Sequence, residues 1–420
     1  MWTLIGAPAL WVTLEYIRAN LFFLSWPWNL LGHSQHNYLA VIQIADTTGV
    51  YGISFILVMV NQFLSQAPDF FSDRKASLSD GTKLFRYGTN FVAQLLTVIS
   101  VLIITFSYGW YRLTVSDNNR HMRIALIQAN IITRENMTYL QQKLHMTRYI
   151  ELTRDAARYK PNLIIWPASS LPASISAIYI KFPILMLSRE INSFILAGGS
   201  GQEKDKPKRE GYAQYSNSEF LISPVGKIDA QYNKILLLPF NEYVPLQGTF
   251  KWPEWITTVK EDFIPGTEFT LFHVLGTSFG TPICWENMFP DLFRHFVDKG
   301  AQFMVSVTNE GFFGNTSSAG PYQTLAMNVF RAVENRVAIA RASTTGVSCF
   351  ISPNGEIVDR VKDNIGNDLF VSGILIRDIP LSNKKTFYTV YGDMFAYAAI
   401  GITALMILVS AMRVKKELSH

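Results

Sequence analysis

Residues 91–110 read Phe91-Val-Ala-Gln-Leu-Leu-Thr-Val-Ile-Ser-Val-Leu-Ile-Ile-Thr-Phe-Ser-Tyr-Gly-Trp110, and none of these twenty positions carries a charged side chain. An α-helix rises 1.5 Å per residue, so a helix of this length crosses the roughly 30 Å hydrocarbon core of a bilayer. The segment therefore predicts a membrane span and a membrane protein.

Other apolar segments lie towards both ends of the chain. They predict further spans at 4–24, 49–65 and 394–412, so residues 1–112 form a membrane region with about three transmembrane helices. Of all 420 residues, 49% are hydrophobic and only 16% are charged, which is unusual for a water-soluble enzyme. The net charge of +5 comes without an interleaved array of basic and aromatic residues, so no nucleic-acid partner is expected.

The charges of the loops predict an orientation. Residues 25–48 contain no lysine or arginine, whereas residues 66–89 and the tail after residue 412 are basic. The basic residues are Arg74, Lys75, Lys83, Arg86, Arg413, Lys415 and Lys416. The positive-inside rule places these segments in the cytoplasm. The middle of the chain, 113–390, is then expected to lie outside the cytoplasmic membrane.

In this middle part, short β-rich runs alternate with helical stretches. Predicted strands cover 123–128, 162–166, 193–197, 218–223, 269–274, 280–284, 302–307, 346–351 and 370–376, and predicted helices 139–159, 289–299 and 320–335. This alternation predicts an α/β fold with a mixed sheet buried on both faces. The cluster Gly198-Gly-Ser-Gly201 is expected to be a surface loop, because it lacks the spacing of a dinucleotide or phosphate loop.

One of the two cysteines lies in Gly280-Thr-Pro-Ile-Cys284-Trp-Glu-Asn287. An apolar run leads into it and a polar stretch follows, which is typical of a strand end that delivers a thiol to a loop or a helix start. A thiol in that position is a candidate nucleophile. The alternative is a small buried hydrophobic residue. The other cysteine, Cys349, lies in an apolar run without acid–base company and is expected in the core.

Several further motifs accompany Cys284. They are Trp166-Pro-Ala168, Tyr232-Asn-Lys234, Pro239-Phe-Asn-Glu242-Tyr-Val-Pro245, Thr308-Asn-Glu-Gly311, Trp26-Pro-Trp-Asn-Leu-Leu-Gly32 and Arg331-Ala-Val-Glu-Asn-Arg336. In their order and number they resemble the apolipoprotein N-acyltransferase family, whose enzymatic domain is of the nitrilase (carbon–nitrogen hydrolase) type. The resemblance extends from about residue 8 to 412.

This resemblance implies an α-β-β-α sandwich inserted between transmembrane helices, with 113–390 as the catalytic domain. It implies a bacterial cytoplasmic (inner) membrane protein with several spans and the domain on the periplasmic side. In the family, a cysteine takes an acyl chain from a phospholipid as a thioester, and the N-terminal amine of a diacylated lipoprotein then accepts it. No cofactor or metal is implied. Cys284 matches the nucleophile and Lys234 the lysine that favours the thiolate and binds the oxyanion.

The remaining site residues follow from the same resemblance. Glu242 matches a further glutamate of the active site, and Trp285 and Glu286 match substrate-binding residues after the nucleophile. The triad glutamate is missing, because Ala168 occupies its position. Loss of a general base typically costs about 10²–10⁴-fold in rate. Either Glu242 is a substitute base, or the protein is a slow or inactive relative, or the alanine is a lesion in an altered gene.

Family members carry about eight spans, so about four are expected to be missing before residue 1, through a misplaced start codon or gene decay. Two other functions are compatible with the residues. A nitrilase-type amidohydrolase would use water as the acceptor, but a soluble amide substrate needs no membrane anchor. A catalytically silent membrane protein that binds lipid or lipoprotein would account for Ala168.

Overall fold

The computed structural model describes residues 2–76, 81–115, 120–132, 137–203, 214–253, 255–256, 262–313 and 318–418. The chain divides into two compact units. One contains Met1–Asp117 and Thr386–His420, and the other contains Asn118–Lys385.

The elements are numbered along the chain. The helices are α1 (Trp2–Ala19), α2 (Leu39–Ile42), α3 (Ala45–Ala76), α4 (Gly81–Thr114), α5 (Tyr139–Ala157), α6 (Ile178–Ile191), α7 (Pro290–Asp298), α8 (Gly320–Asn335), α9 (Phe387–Tyr391) and α10 (Met394–Leu418). The strands are β1 (His121–Gln128), β2 (Leu163–Ile165), β3 (Phe194–Glu203), β4 (Gln214–Ser223), β5 (Lys227–Asn233), β6 (Phe272–Val274), β7 (Thr277–Gly280), β8 (Phe303–Thr308), β9 (Ile339–Ser343), β10 (Cys349–Ile351), β11 (Ile357–Arg360) and β12 (Gly373–Pro380).

Among the described residues of the first unit, three helices have the length and apolar composition of membrane spans. They include Ala45–Gln66, Phe91–Thr114 and Met394–Lys416. Many of their side chains face outwards, since only 17% of the window in Phe91–Thr114 is buried inside the protein. An apolar surface of this kind suits a lipid environment. The span predicted at 4–24 falls on α1, which ends at Ala19, and stays a prediction.

The second unit contains two six-stranded mixed sheets. The strand order is β12-β1-β2-β3-β4-β5 in the first sheet and β11-β10-β9-β8-β7-β6 in the second. Helices α5 and α6 pack against the first sheet, whereas α7 and α8 contact strands of the second. The protein therefore has the predicted nitrilase-type α-β-β-α sandwich, and apolar helices lie on both sides of it in the chain.

Both faces of the central strands β1 to β4 of the first sheet are largely buried, as the continuous apolar strands predict. One face contributes Ala125, Ile164, Ile195, Phe220 and Ile222 to the core shared with α5 and α6. Because side chains alternate along a strand, the intervening residues point to the opposite face, towards the second sheet. These include Leu126, Leu163, Leu196, Glu219 and Leu221, all fully buried or nearly so.

Two features of the sequence analysis require correction. The loop predicted at Gly198–Gly201 is wrong, because β3 continues through these residues to Glu203 and pairs with β4 along its whole length. The strand predicted at 280–284 ends at Gly280, so Cys284 lies beyond it in a short 3-10 helix. Strands β5, β9 and β11 and helix α6 were not predicted.

Candidate active site

Cys284 is the first residue of the 3-10 helix Cys284–Met288, and its thiol is free and partly exposed. An isolated bridge joins the preceding Ile283 to Val307 of β8. The backbone of Cys284 has φ = +52°, a conformation that a residue with a Cβ seldom adopts. Such strained positions concentrate at functional sites, where they aim a side chain. The chain here turns sharply out of the sheet at a residue that is partly exposed.

Lys234 follows β5 directly and is only 1% exposed. Its Nζ donates a hydrogen bond to Glu242 Oε2 over 2.6 Å, and its backbone N–H donates to the carbonyl of Asn217. Glu242 is also held by the side-chain amide of Asn217 and by the backbone N–H of Leu238, each at 2.7 Å. The lysine and the glutamate therefore form a buried, hydrogen-bonded ion pair.

The charge of Lys234 acts on Cys284. Burial raises the pKa of the Cys284 thiol, and the neighbouring Lys234 cation opposes this shift, as does a backbone hydrogen bond from Asn309. Burial also disfavours the charged lysine, but attraction to Glu242, Cys284 and Glu286 outweighs it, and the pKa of Lys234 is raised. The lysine thus stays protonated at neutral pH and provides a fixed positive charge beside the sulfur.

Trp285 and Glu286 follow Cys284 and lie inside the protein. Glu286 is fully buried and accepts hydrogen bonds from the Tyr232 hydroxyl and the backbone N–H groups of Ile235, Leu236 and Ile283. Burial raises its pKa to about 7, although these donors and Lys234 act in the opposite direction.

Glu286 therefore ties the 3-10 helix of Cys284 to the segment that follows Lys234. Trp285 is 5% exposed, and its ring packs against Phe289 at 5.5 Å between centroids. A substrate-binding role for either residue stays a prediction.

Ala168 lies in the turn that follows β2, where the resemblance would place a glutamate. It is buried, and the turn is pinned to Gly198 of β3. The Gly198 backbone N–H donates to Ser170 Oγ over 3.2 Å, and the Leu171 N–H donates to the Gly198 carbonyl over 2.9 Å. The turn is firmly held, but position 168 has no group that can exchange a proton.

Two residues of this region escaped the sequence analysis. Asn217 orients Glu242, and Glu219 is a fully buried carboxylic acid two positions further along β4. The sequence did contain a signal for Glu219. In the predicted strand Ser218-Glu-Phe-Leu-Ile-Ser223, an acidic residue occupies a position that faces the interior. Cys349 lies fully buried in β10, and burial raises its pKa to about 12, as expected for a core cysteine.

Within the described residues, no group of three or more His, Cys, Asp or Glu side chains could hold a metal ion.

Comparison with known proteins assigns the family. The family model described as carbon–nitrogen hydrolase matches residues 123–386, and the model for the apolipoprotein N-acyltransferase N-terminal domain matches residues 1–63. The apolipoprotein N-acyltransferase of Geobacter metallireducens is 34% identical over 423 aligned residues, which cover 99% of this chain and 75% of that protein. The chain belongs to the apolipoprotein N-acyltransferase family.

Further family members are similar at lower identity. The apolipoprotein N-acyltransferase of Chlorobaculum tepidum is 29% identical, and the alignment covers 98% of this chain and 77% of that protein. Among solved structures, an amidase of the nitrilase superfamily from Nesterenkonia is 18% identical with a TM-score of 0.45. That match covers 64% of this chain and 93% of the amidase.

Proposed function

We propose that this protein is an apolipoprotein N-acyltransferase that carries the acyl chain as a thioester on Cys284. The acyl chain comes from a phospholipid, and the acceptor is the N-terminal amine of a diacylglyceryl-cysteine lipoprotein. The observation that carries the proposal is the partly exposed Cys284 thiol beside the buried Lys234–Glu242 pair. It occurs in a chain that is similar over 99% of its length to a protein of that name.

The first half-reaction is attack of the Cys284 sulfur on the carbonyl carbon of the phospholipid ester. Lys234 promotes this attack in two ways, because a fixed cation favours the thiolate and stabilises the negative charge that develops on the carbonyl oxygen. The C–O bond then breaks, the lysophospholipid leaves with a proton, and the thioester remains. In the second half-reaction the lipoprotein amine attacks the thioester, loses a proton and releases the sulfur.

Glu242 acts in this scheme as a positioning residue. Its two oxygens accept hydrogen bonds from Lys234, Asn217 and Leu238. A carboxylate that is engaged in this way holds the lysine in place and compensates for the cost of burying its charge. The role of Glu242 as a substitute base stays a prediction, and its contacts favour the positioning role.

The proposed location is the bacterial cytoplasmic membrane, with the unit Asn118–Lys385 on the periplasmic side. Three helices have the length and composition to cross a membrane, and the basic residues at 66–89 and after 412 favour a cytoplasmic position for those segments. In that orientation the unit that contains Cys284 lies on the same side of the membrane as exported lipoproteins.

The experiment uses the full chain purified in detergent. The protein is incubated with phosphatidylethanolamine that carries deuterated palmitoyl chains and with a synthetic diacylglyceryl-cysteine lipopeptide. Mass spectrometry of the lipopeptide is expected to show a third, deuterated acyl chain with the wild type and with Cys349→Ala, and none with Cys284→Ala.

Product formation by Cys284→Ala would contradict the thioester. The absence of product with every variant, together with retained binding of the lipopeptide, would instead identify a silent binding protein.

A further inference from the structure

Glu219 is a carboxylic acid in an environment that normally excludes one. It lies on the inward face of β4 with 0% exposure, paired with Gly198 of β3 and with the fully buried Tyr232 of β5. Neither oxygen of its carboxyl group has a hydrogen-bond partner among the described residues. Burial of a carboxyl group without partners is costly, so such a residue is expected only where it is used.

The carboxyl group of Glu219 points at the turn that contains Ala168. A Cβ atom added to Gly198 would lie 2.3 Å from Glu219 Oε1, 2.8 Å from Ala168 Cα and 2.9 Å from the backbone nitrogen of Ser169. All three atoms therefore border one small space above Gly198. A glycine inside a strand often marks such a close approach, and here the missing side chain lets the carboxyl group reach across β3.

Glu219 is also tied to the residues around the thiol. It pairs with Tyr232 of β5, which precedes Lys234 by two positions and whose hydroxyl donates to Glu286. The preceding inward-facing residue of β4 is Asn217, which contacts Glu242. One inward position along a strand corresponds to about 7 Å. Glu219 is thus the next inward side chain after one that already contacts the ion pair.

The other carboxyl groups near Cys284 are engaged. Glu242 accepts three hydrogen bonds and Glu286 four, all from protein donors. Glu310 accepts from the side chains of Arg341, Thr324 and Ser343. Each is held in place by its donors, whereas Glu219 is not. The chemistry of the site requires a group that exchanges a proton, and position 168 provides none.

We propose that Glu219 supplies from β4 the proton-exchanging carboxyl group that position 168 lacks. The inference rests on the proposed acyl transfer and extends it. Burial favours the protonated Glu219 carboxyl group, and Lys234 favours the Cys284 thiolate. When the thiolate attacks the ester and the C–O bond breaks, Glu219 gives its proton to the departing glycerol oxygen. When the amine then attacks the thioester, the Glu219 carboxylate takes a proton from the nitrogen, and the C–S bond breaks to release the thiolate beside Lys234.

The surroundings of Glu219 suit this role. Burial raises its pKa well above the ordinary value, which moves proton exchange by this group towards neutral pH. The titratable residue that pairs with it on the neighbouring strand is Tyr232 of β5, whose hydroxyl donates to Glu286.

The test compares acyl transfer from deuterated phosphatidylethanolamine to Cys284 in four forms of the full chain. They are the wild type, Glu219→Gln, Ala168→Glu with Glu219→Ala, and Glu190→Gln as an exposed control. Intact-protein mass spectrometry is expected to show the acyl adduct in the wild type and the control, and a rate at least 100-fold lower in Glu219→Gln. The double variant should recover much of the lost rate.

Each outcome distinguishes the two proposals. An unchanged rate in Glu219→Gln, with the adduct still on Cys284, would overturn the role of Glu219 and leave the proposed function intact. An adduct that forms in the double variant but not in the wild type would also overturn the role of Glu219. No adduct in any form would overturn both. The pH profile provides a second readout, because the basic limb of the wild-type rate, where the Glu219 carboxyl group loses its proton, should shift in the double variant and a purely structural residue would not move it.

Discussion

Glu242 and Glu219 are two glutamates buried in the same unit, with exposures of 6% and 0%. Glu242 is surrounded by donors, including the Lys234 cation at 2.6 Å. Glu219 has no partner among the described residues. Donors favour the ionised form of a carboxyl group and fix it, whereas burial alone favours the neutral form. The contrast agrees with a role for Glu242 in holding the Lys234 cation and with the proposed role of Glu219 in exchanging a proton.

The largest expected effect is a loss of stability when Glu242 is replaced. Glu242→Ala leaves the Lys234 ammonium buried without its partner, and breaking a buried pair in this way costs about 3–5 kcal/mol. The free energy of unfolding in detergent, followed by tryptophan fluorescence in urea, should fall by that amount. Glu190→Gln breaks an exposed pair with Arg154 and should change it by less than about 1 kcal/mol. If the free energy of unfolding fell equally in Glu242→Ala and Glu190→Gln, the buried Lys234–Glu242 pair would contribute no more to stability than the exposed Arg154–Glu190 pair.

Replacement of Glu219 is expected to change the free energy of unfolding in the opposite direction. Glu219→Leu replaces an unpartnered buried carboxyl group by an apolar side chain and should raise the free energy of unfolding by about 1–3 kcal/mol. The same urea titration measures it. A destabilised but active variant would show that Glu219 is structural.

The Lys234 charge should be visible in the reactivity of the thiol. Because this cation lowers the pKa of Cys284, Lys234→Met should raise it, and each pKa unit reduces the thiolate fraction about tenfold. Alkylation of Cys284 by iodoacetamide at pH 7 is therefore expected to slow by about tenfold. The exposed Lys385→Met is the control and should leave the rate unchanged. Equal rates in wild type and Lys234→Met would contradict the electrostatic role of the lysine.

The smallest effect is a pH dependence. The pKa of Glu219 is raised by folding, so the folded state keeps a proton that the unfolded chain loses above about pH 4.3. The stabilising contribution of Glu219 to the free energy of unfolding is present below that pH and is lost as the pH rises. The thermal midpoint of Glu219→Gln relative to wild type should therefore increase between pH 5 and pH 8. A constant difference would indicate that Glu219 is ionised in the folded protein.

The sequence singled out the thiol through the apolar run that leads into it, whereas Lys234 was assigned from the family resemblance, because the strand before it was not predicted. It could not locate the partner of the empty position 168. Glu219 faces Ala168 only through the register of β3 with β4, and register depends on pairing between segments distant in the sequence. The Gly198–Gly201 run was misassigned for the same reason, since a loop and a strand interior that admits a carboxyl group both favour glycine.

The fold could be predicted where apolar runs are continuous. It was missed where polar residues interrupt a strand. In β9, Arg341 is fully buried because it pairs with Glu310, a tertiary contact that the strand pattern does not reveal. In β5 the outward positions are partly exposed, so the apolar signal is weak. Both strands are fixed by their neighbours in the sheet.

The most direct test is the location of the acyl chain. The full chain is incubated with phosphatidylethanolamine carrying deuterated palmitoyl chains, without an acceptor, and is digested for peptide mass spectrometry. We expect the deuterated acyl mass on the peptide that contains Cys284, sensitive to hydroxylamine, and an unmodified peptide for the fully buried Cys349. An acyl chain on Cys349 or on a lysine, with Cys284 unmodified, would contradict the account.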